Sequence, residues 1–244
     1  MLTPRPAEAR EFFGRVLGWT YFEMPGMGHG IRAGGRDVGG LFDLEGPNTP
    51  PGLSPMIGVM VRVDDLDAAC EKVESLGGRT MPALDIGEPG RMAVCYDPIG
   101  AEFDLWEPRA MLGTDVDSTV YGAPSWFESM TTDVGRATGF YTGLFGWTSE
   151  RAPMPGSSYT TFRNGGTDIA GMMEITPALA GLRPHWATYV TVDDADEAAR
   201  EAVALGARLH VPLRDIPDLG RFCGITSPQG VRFHLIRYSP GQGS

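Results

Sequence analysis

One stretch of this sequence occurs twice, and the repeat limits the possible folds more than any other feature. Residues 186–207 read WATYVTVDDADEAAREAVALGA, and residues 57–78 read IGVMVRVDDLDAACEKVESLGG. Each copy begins with apolar residues at alternate positions, which is typical of a half-buried strand. An acidic turn follows, and small or branched apolar residues then recur at helical spacing up to a glycine. The repeat predicts a chain built from two similar halves.

The acidic turn predicts where each of these helices begins. Asp193 and Asp194 precede the helix of the second copy, and Asp64 and Asp65 precede that of the first. A short carboxylate at such a position accepts hydrogen bonds from amide groups of the first turn and stabilises the positive end of the helix dipole.

Further elements repeat in the same order in both halves. An amphipathic helix comes early in each half, with Phe12, Phe13, Val16 and Leu17 on the buried side of the first one and Asp133 as the N-cap of the second. Glycine pairs then predict hairpin turns, and a strand pair closes each half. The helices span 6–17 and 134–147, the glycine pairs are 34–35 and 165–166, and the closing pairs span 95–106 and 225–236.

Three motifs carry a resemblance to a known family: FYTGLFGW, VDDADEAA and DPIGAEFDLW. In this order, twice, they resemble the vicinal oxygen chelate superfamily, the group of glyoxalases, bleomycin-resistance proteins and extradiol dioxygenases, and most of all its tandem-domain actinobacterial members. The resemblance implies an α+β fold with two glyoxalase-like domains, 1–112 and 121–244. Each domain would consist of two paired βαβββ modules that form a curved-sheet cup around a ligand or metal.

The two copies differ at their first strand. Residues 125–131, SWFESMT, predict a strand before the first helix of the second copy. Only Leu2 and Thr3 stand in the corresponding place of the first copy. We therefore expect the first domain to have a truncated first strand and an open sheet edge, unless the chain starts upstream of Met1.

Composition excludes several classes of partner. The net charge of −11 and the scattered basic residues argue against nucleic acid or an anionic membrane surface. No apolar run reaches the roughly 20 residues of a membrane span, and the N-terminus lacks the apolar core of a signal peptide. Cys70, Cys95 and Cys223 form no CxxC motif, which favours reduced thiols in a cytoplasmic protein.

The resemblance also implies where a divalent metal would be held, by His, Gln or Glu side chains at three strand positions. In the second copy these positions correspond to Trp126, Trp186 and His234. In the first copy, only Ile57 and Asp104 correspond to the second and third. Because an indole has no lone pair for a metal, we expect no metal cofactor.

The same substitutions predict a different kind of site. If Trp126 and Trp186 point into one cup, they form an aromatic clamp for a flat or cationic molecule. Glu128 and His234 would add a titratable pair for general acid/base chemistry or ligand orientation. The alternative is that both tryptophans pack in the core.

Two further residues complete the predicted site. Thr188 belongs to the same strand as Trp186, and Asp104 takes the place of His234 in the first copy. We assign both to ligand binding, and the alternative for Asp104 is a solvated surface position.

Three functions fit these residues. The first is a metal-independent protein that binds or acts on an aromatic or hydrophobic metabolite or natural product, with lyase, isomerase or hydroxylase-type chemistry left open. The second is a non-catalytic protein that sequesters a drug or toxin, and the third is a metal-dependent glyoxalase or dioxygenase. The expected partner is a small molecule, and the tandem copies would form a monomeric pseudo-dimer or a homodimer.

Overall fold

The repeat predicted from the sequence forms repeated secondary structure. The computed structural model describes residues 1–47, 49–114, 116–154, 156–179 and 181–241. The first copy contains β1 (Leu2–Thr3), α1 (Pro6–Leu17), β2 (Thr20–Met24), β3 (Gly28–Ala33), β4 (Arg36–Asp43), β5 (Met60–Arg62), α2 (Leu66–Ser75), β6 (Arg79–Thr80), β7 (Leu84–Asp85), β8 (Gly90–Tyr96) and β9 (Glu102–Pro108).

The second copy has the same order of elements, except that the single strand β15 stands in place of β6 and β7 and a short 3₁₀ helix is added. It contains β10 (Pro124–Thr131), α3 (Val134–Phe145), β11 (Thr148–Met154), β12 (Ser157–Asn164), β13 (Thr167–Glu174), a short 3₁₀ helix (Pro177–Leu179), β14 (His185–Thr191), α4 (Ala195–Ala204), β15 (Arg208–Ile216), β16 (Gly220–Thr226) and β17 (Arg232–Tyr238).

Each copy consists of two βαβββ modules, and strand pairing within the modules follows one pattern. In every module the first strand lies parallel to the last: β1 with β4, β5 with β9, β10 with β13, and β14 with β17. The resulting orders are β1-β4-β3-β2, β5-β9-β8-β6 with β7 also on β8, β11-β12-β13-β10, and β14-β17-β16-β15. The α+β class and the βαβββ modules are confirmed. The first strand has two residues in the first copy and eight in the second.

The compact units of the structure do not coincide with the two copies of the repeat. One compact unit, called unit 1 here, contains residues 1–57, 113–125 and 188–244, and unit 2 contains 58–112 and 126–187. Each unit therefore takes one module from each copy, whereas the predicted domains 1–112 and 121–244 follow the sequence repeat.

Unit 1 has a core of α1, α4 and the sheet faces beneath them. The ring of Phe13 stacks on Trp19 at 5.4 Å between centroids and contacts Phe233 of β17 at 5.2 Å. Four side chains of α1 are buried as predicted: Phe12, Phe13, Val16 and Leu17.

Unit 2 has a core of α2, α3 and the strands they cover. Phe103 of β9 contacts Phe140 and Tyr141 of α3, with ring centroids 5.9 and 5.8 Å apart. These edge-to-face contacts bind a strand of the first copy to a helix of the second.

The helix ends follow local sequence signals. Asp133 and Asp194 cap α3 and α4, accepting hydrogen bonds from first-turn amide groups. Gly18 ends α1 in the left-handed conformation with φ 65°. No helix in the described ranges is long and apolar enough to cross a bilayer.

Candidate functional site

The sheets have one face on the helices and one face turned away from them, which we call the open face. In the third module, Phe162, Ala170 and Met172 pack in the core beneath α3. The register aligns Glu128 of β10 with Gly171 of β13, so alternation places Glu128 on the open face.

An aromatic pair lies on this open face of unit 2. Trp126 Nε1 donates to Tyr159 Oη at 2.8 Å. A Cβ atom at Gly171 would lie 1.8 Å from Tyr159 Oη and 3.1 Å from Trp126 Nε1, so only glycine leaves room for the pair. Glu128 shares this face and is only 7% exposed. The structure thus brings Trp126 and Glu128 together with Tyr159, which sequence reasoning missed.

Trp186 lies elsewhere, and the predicted indole clamp is wrong. Its Nε1 donates to Tyr141 Oη at 2.8 Å, and the two rings meet edge to face at 5.2 Å in the core of unit 2. Trp126 therefore lies on the open face of its strand, whereas Trp186 lies on the helix-covered face of its own. For Trp186, the alternative of core packing is correct.

Thr188 is corrected for the same reason. It lies two residues after Trp186 on β14, and two before Val190, which is buried in the helix-covered core of unit 1. Alternation puts Thr188 on that core side, and it is 2% exposed. Its position is structural, because a ligand on the open face does not reach it.

Trp186 belongs to a buried polar network. Tyr141 Oη accepts from Trp186 and donates to Asp97 Oδ2 at 2.9 Å. Asp97 Oδ1 accepts three backbone N–H groups of its turn, at 2.8 to 2.9 Å. Every named polar atom has a partner, which a buried carboxylate requires.

His234 lies on the open face of unit 1. It is aligned with Tyr189 of β14 and Gly224 of β16, whereas the neighbouring Leu235 is fully buried in the core. Its ring stacks on that of Tyr189 at 4.5 Å with 17° between planes. His210 of β15 lies 5.3 Å from it, centroid to centroid. The sequence suggested no role for His210.

Asp104 occupies the corresponding position of the first copy, on β9 of unit 2. Its flanking residues Phe103 and Leu105 are buried in the core, so its side chain points to the open face. Desolvation raises the pKa of Asp104 to about 7, and the charge of Glu102 adds to the rise.

The orientation of Trp186 changes which side chains lie at the strand positions where the resemblance implies a metal. Because Trp186 faces the core, the neighbouring residues of β14 that face the open side are His185 and Ala187. Within the described part of the chain, no group of three or more His, Cys, Asp or Glu side chains could hold a metal ion.

Comparison with known proteins gives the family. The sequence profile described as Glyoxalase/Bleomycin resistance protein/Dioxygenase superfamily matches residues 1–105 and 124–235. The chain belongs to this superfamily. Its two matched segments correspond to the two copies of the repeat.

Two relatives within the superfamily span nearly the whole chain. A Mycobacterium tuberculosis (strain CDC 1551 / Oshkosh) protein that carries the name glyoxylase CFP32 is 34% identical, covering 98% of this chain and 93% of that protein. The anthracycline biosynthesis protein DnrV of Streptomyces peucetius is 30% identical over 98% of this chain and 91% of that protein.

Solved structures of the superfamily share the fold. The Mn(II)-bound glyoxalase from Novosphingobium aromaticivorans has a TM-score of 0.64 at 16% identity, covering 97% of this chain and 79% of that one. The halotolerant catechol dioxygenase BphC has a TM-score of 0.63 at 16% identity, covering 97% and 84%. At this identity the likeness establishes the fold alone.

Proposed function

We propose that this superfamily member binds or transforms an aromatic or hydrophobic metabolite or natural product without a metal ion. The observation that carries the proposal is the open face of unit 2, where the hydrogen-bonded pair of Trp126 and Tyr159 lies beside the buried carboxylate of Glu128. Aromatic walls with a few placed polar groups are typical of small-molecule sites. The relative named for anthracycline biosynthesis supports a polycyclic aromatic ligand.

The general acid/base candidates are Glu128 on unit 2 and His234 on unit 1. A carboxylate as buried as that of Glu128 needs hydrogen bonds or an ion pair, which also hold it in one orientation. We expect Glu128→Gln to lower turnover of a substrate about 100-fold or more while the fold is kept. Unchanged turnover with intact circular dichroism would remove Glu128 from the mechanism.

Binding is tested by tryptophan fluorescence on the full chain. We expect a planar polycyclic aromatic compound to quench the emission, and Trp126→Phe to remove the change in signal. Trp147→Phe is the matched control, because Trp147 stacks on Phe145 at 4.6 Å within the same unit and packs on the core. Quenching that survives in Trp126→Phe and disappears in Trp147→Phe would contradict the proposal.

A second function, sequestration of a drug or toxin, uses the same aromatic face. The two are separated by mass spectrometry of the ligand after incubation with stoichiometric protein. A ligand recovered unaltered supports sequestration, and a changed mass supports an enzyme. Which lyase, isomerase or hydroxylase-type reaction takes place would follow from the mass difference.

A metal-dependent glyoxalase or dioxygenase is the third function, and the donor set disfavours it. Elemental analysis of protein purified without chelator tests it, with activity measured before and after added Mn²⁺ or Zn²⁺. A stoichiometric metal that activates the protein would overturn metal independence.

We further propose a cytoplasmic location and a monomeric pseudo-dimer or homodimer. The location is supported by Cys70, Cys95 and Cys223, which are unpaired thiols. Comparing the amount of protein in the cytoplasmic and extracellular fractions tests the location, and light scattering of the purified protein tests the oligomeric state.

A further inference from the structure

A β-bulge on β15 directs His210 out of the regular ladder. β15 pairs with β16 through Leu209 with Ile225 and Val211 with Gly224, so His210 is an extra residue between two paired positions. Bulges re-aim side chains and are frequent beside functional sites. Local strand geometry therefore gives His210 an orientation that a regular strand would not.

Gly224 provides the space for this imidazole. A Cβ atom there would lie 2.6 Å from His210 Nε2 and 2.8 Å from Val211 Cγ2. The φ angle of Gly224 is not positive, so its backbone accepts other residues. Glycine is needed at this position for room and not for backbone freedom.

Neighbouring side chains fix the orientation of the two imidazoles. His210 Nδ1 lies 3.1 Å from Oγ1 of Thr226, which is buried. The rings of His210 and His234 are 5.3 Å apart at 74°, and Tyr189 stacks on His234. Phe222 borders the cluster, with its ring 6.0 Å from Tyr189 and 6.3 Å from His234.

We propose that His210 and His234 form the polar end of a ligand site on unit 1 that recognises a phenolic or enolic hydroxyl of a planar ligand. When both imidazoles are neutral, one ring can donate an N–H to a hydroxyl oxygen and the other can accept the hydroxyl proton, so the pair matches a group that both donates and accepts. Tyr189 and Phe222 give the cluster an aromatic wall. The guanidinium of Arg214, 5.8 Å from the ring of Phe222, favours an acidic hydroxyl over a basic ligand. This inference rests on the proposed function and adds a chemical class and a second histidine.

The experiment compares 2-naphthol with 2-methoxynaphthalene, which differs only by capping the hydroxyl. Calorimetric titration of the full chain should give about tenfold tighter binding of 2-naphthol, the size of one or two neutral hydrogen bonds. His210→Gln should abolish this preference and leave the affinity for 2-methoxynaphthalene unchanged.

Gly224→Ala tests the same site without removing a functional group. The added methyl displaces His210, so the preference for 2-naphthol should fall as in His210→Gln, and the double variant should lose no more. Gly139→Ala is the control, because a Cβ atom at that position of α3 meets nothing within 4 Å. Thermal melts of each variant show which ones are folded, and His210→Gln retains the test if Gly224→Ala does not fold.

Three results would overturn the inference: equal affinity of the wild type for both compounds, no binding of either, or an unaltered preference in His210→Gln. Equal affinity in all variants would leave the proposed function intact, because aromatic binding would persist. The proposed function itself depends on the Trp126 quenching experiment.

Discussion

Tyr141 joins two buried polar side chains in the core of unit 2. Its hydroxyl accepts from Trp186 Nε1 and donates to Asp97 Oδ2, and both partners are less than 10% exposed. The corresponding residue of α1 is Phe13, which needs no such partner. The hydroxyl is therefore specific to one copy of the repeat.

We predict that Tyr141→Phe lowers the free energy of unfolding by about 1 to 3 kcal/mol, because it leaves two buried polar groups without this partner. Urea unfolding measures the loss. Asp97→Asn in the Tyr141→Phe background should cost less than Asp97→Asn alone, since the two groups interact. Additive costs would show that the network is not coupled.

Asp104 gives the stability a dependence on pH. Its pKa rises from 3.8 to about 7 on folding, mainly through desolvation, so the folded state holds the proton more tightly than the unfolded chain. The stability that this bound proton contributes is fully present below pH 3.8, the pKa in the unfolded chain, and is lost as pH rises through about 7, the pKa in the folded state.

We predict that Asp104→Asn raises the melting temperature relative to the wild type more at about pH 8 than at about pH 4. Thermal melts of both proteins at the two pH values give the comparison. A difference between the proteins that does not change with pH would contradict the raised pKa.

At the scale of single elements, the two adjacent aspartates in the acidic turn before α4 have different roles. Asp194 Oδ1 accepts from the backbone N–H groups of Asp196 and Glu197, both at 2.9 Å. Asp193 is exposed and adds only its charge near the helix N-terminus. The sequence pointed to both residues without ranking them.

We predict that Asp194→Ala destabilises the protein by about 1 kcal/mol, a typical value for an N-cap. Asp193→Ala is the matched control and should cost a few tenths of that, as expected for an exposed charge at a helix end. Chemical unfolding of the two variants measures the loss of unfolding free energy in each. Equal losses would mean that charge, and not the cap hydrogen bonds, stabilises α4.

At the scale of the whole molecule, the sequence repeat and the compact units divide the chain differently. Each unit takes one module from each copy, so neither half of the chain contains a complete unit. The core of unit 2, for example, needs Phe103 from the first half and Phe140 from the second.

We predict that the fragments 1–112 and 121–244 do not unfold cooperatively when each is expressed alone, because each lacks partners for both of its modules. Co-expression should give a complex with a cooperative thermal transition. Circular dichroism melts with size-exclusion chromatography test this. A stable, monomeric 121–244 fragment would contradict the conclusion that each core needs modules from both halves of the chain.

Local sequence was sufficient for much of the fold. The duplicated order of elements, the buried side of α1, the stop at Gly18 and the cap at Asp133 were all predictable. Each depends on a helical or strand period, or on one side chain and the adjacent amide groups.

The candidate site was predictable only in part. Glu128 lies beside Trp126 as expected, but the sequence placed Trp186 on the wrong side of its strand. The strand itself was recognised correctly. A one-residue error in its phase relative to the core moves every side chain to the other face, and the phase is set by pairing with β17.

The sequence by itself determined that this chain is a duplicated set of βαβββ modules with helices and strands at known places, because those properties depend on neighbours along the chain. Only the tertiary structure decided which modules share a core, which face of β14 carries Trp186, and that a bulge directs His210 toward His234. These depend on pairing between distant strands and on packing volume, such as the space above Gly224, which no local pattern encodes.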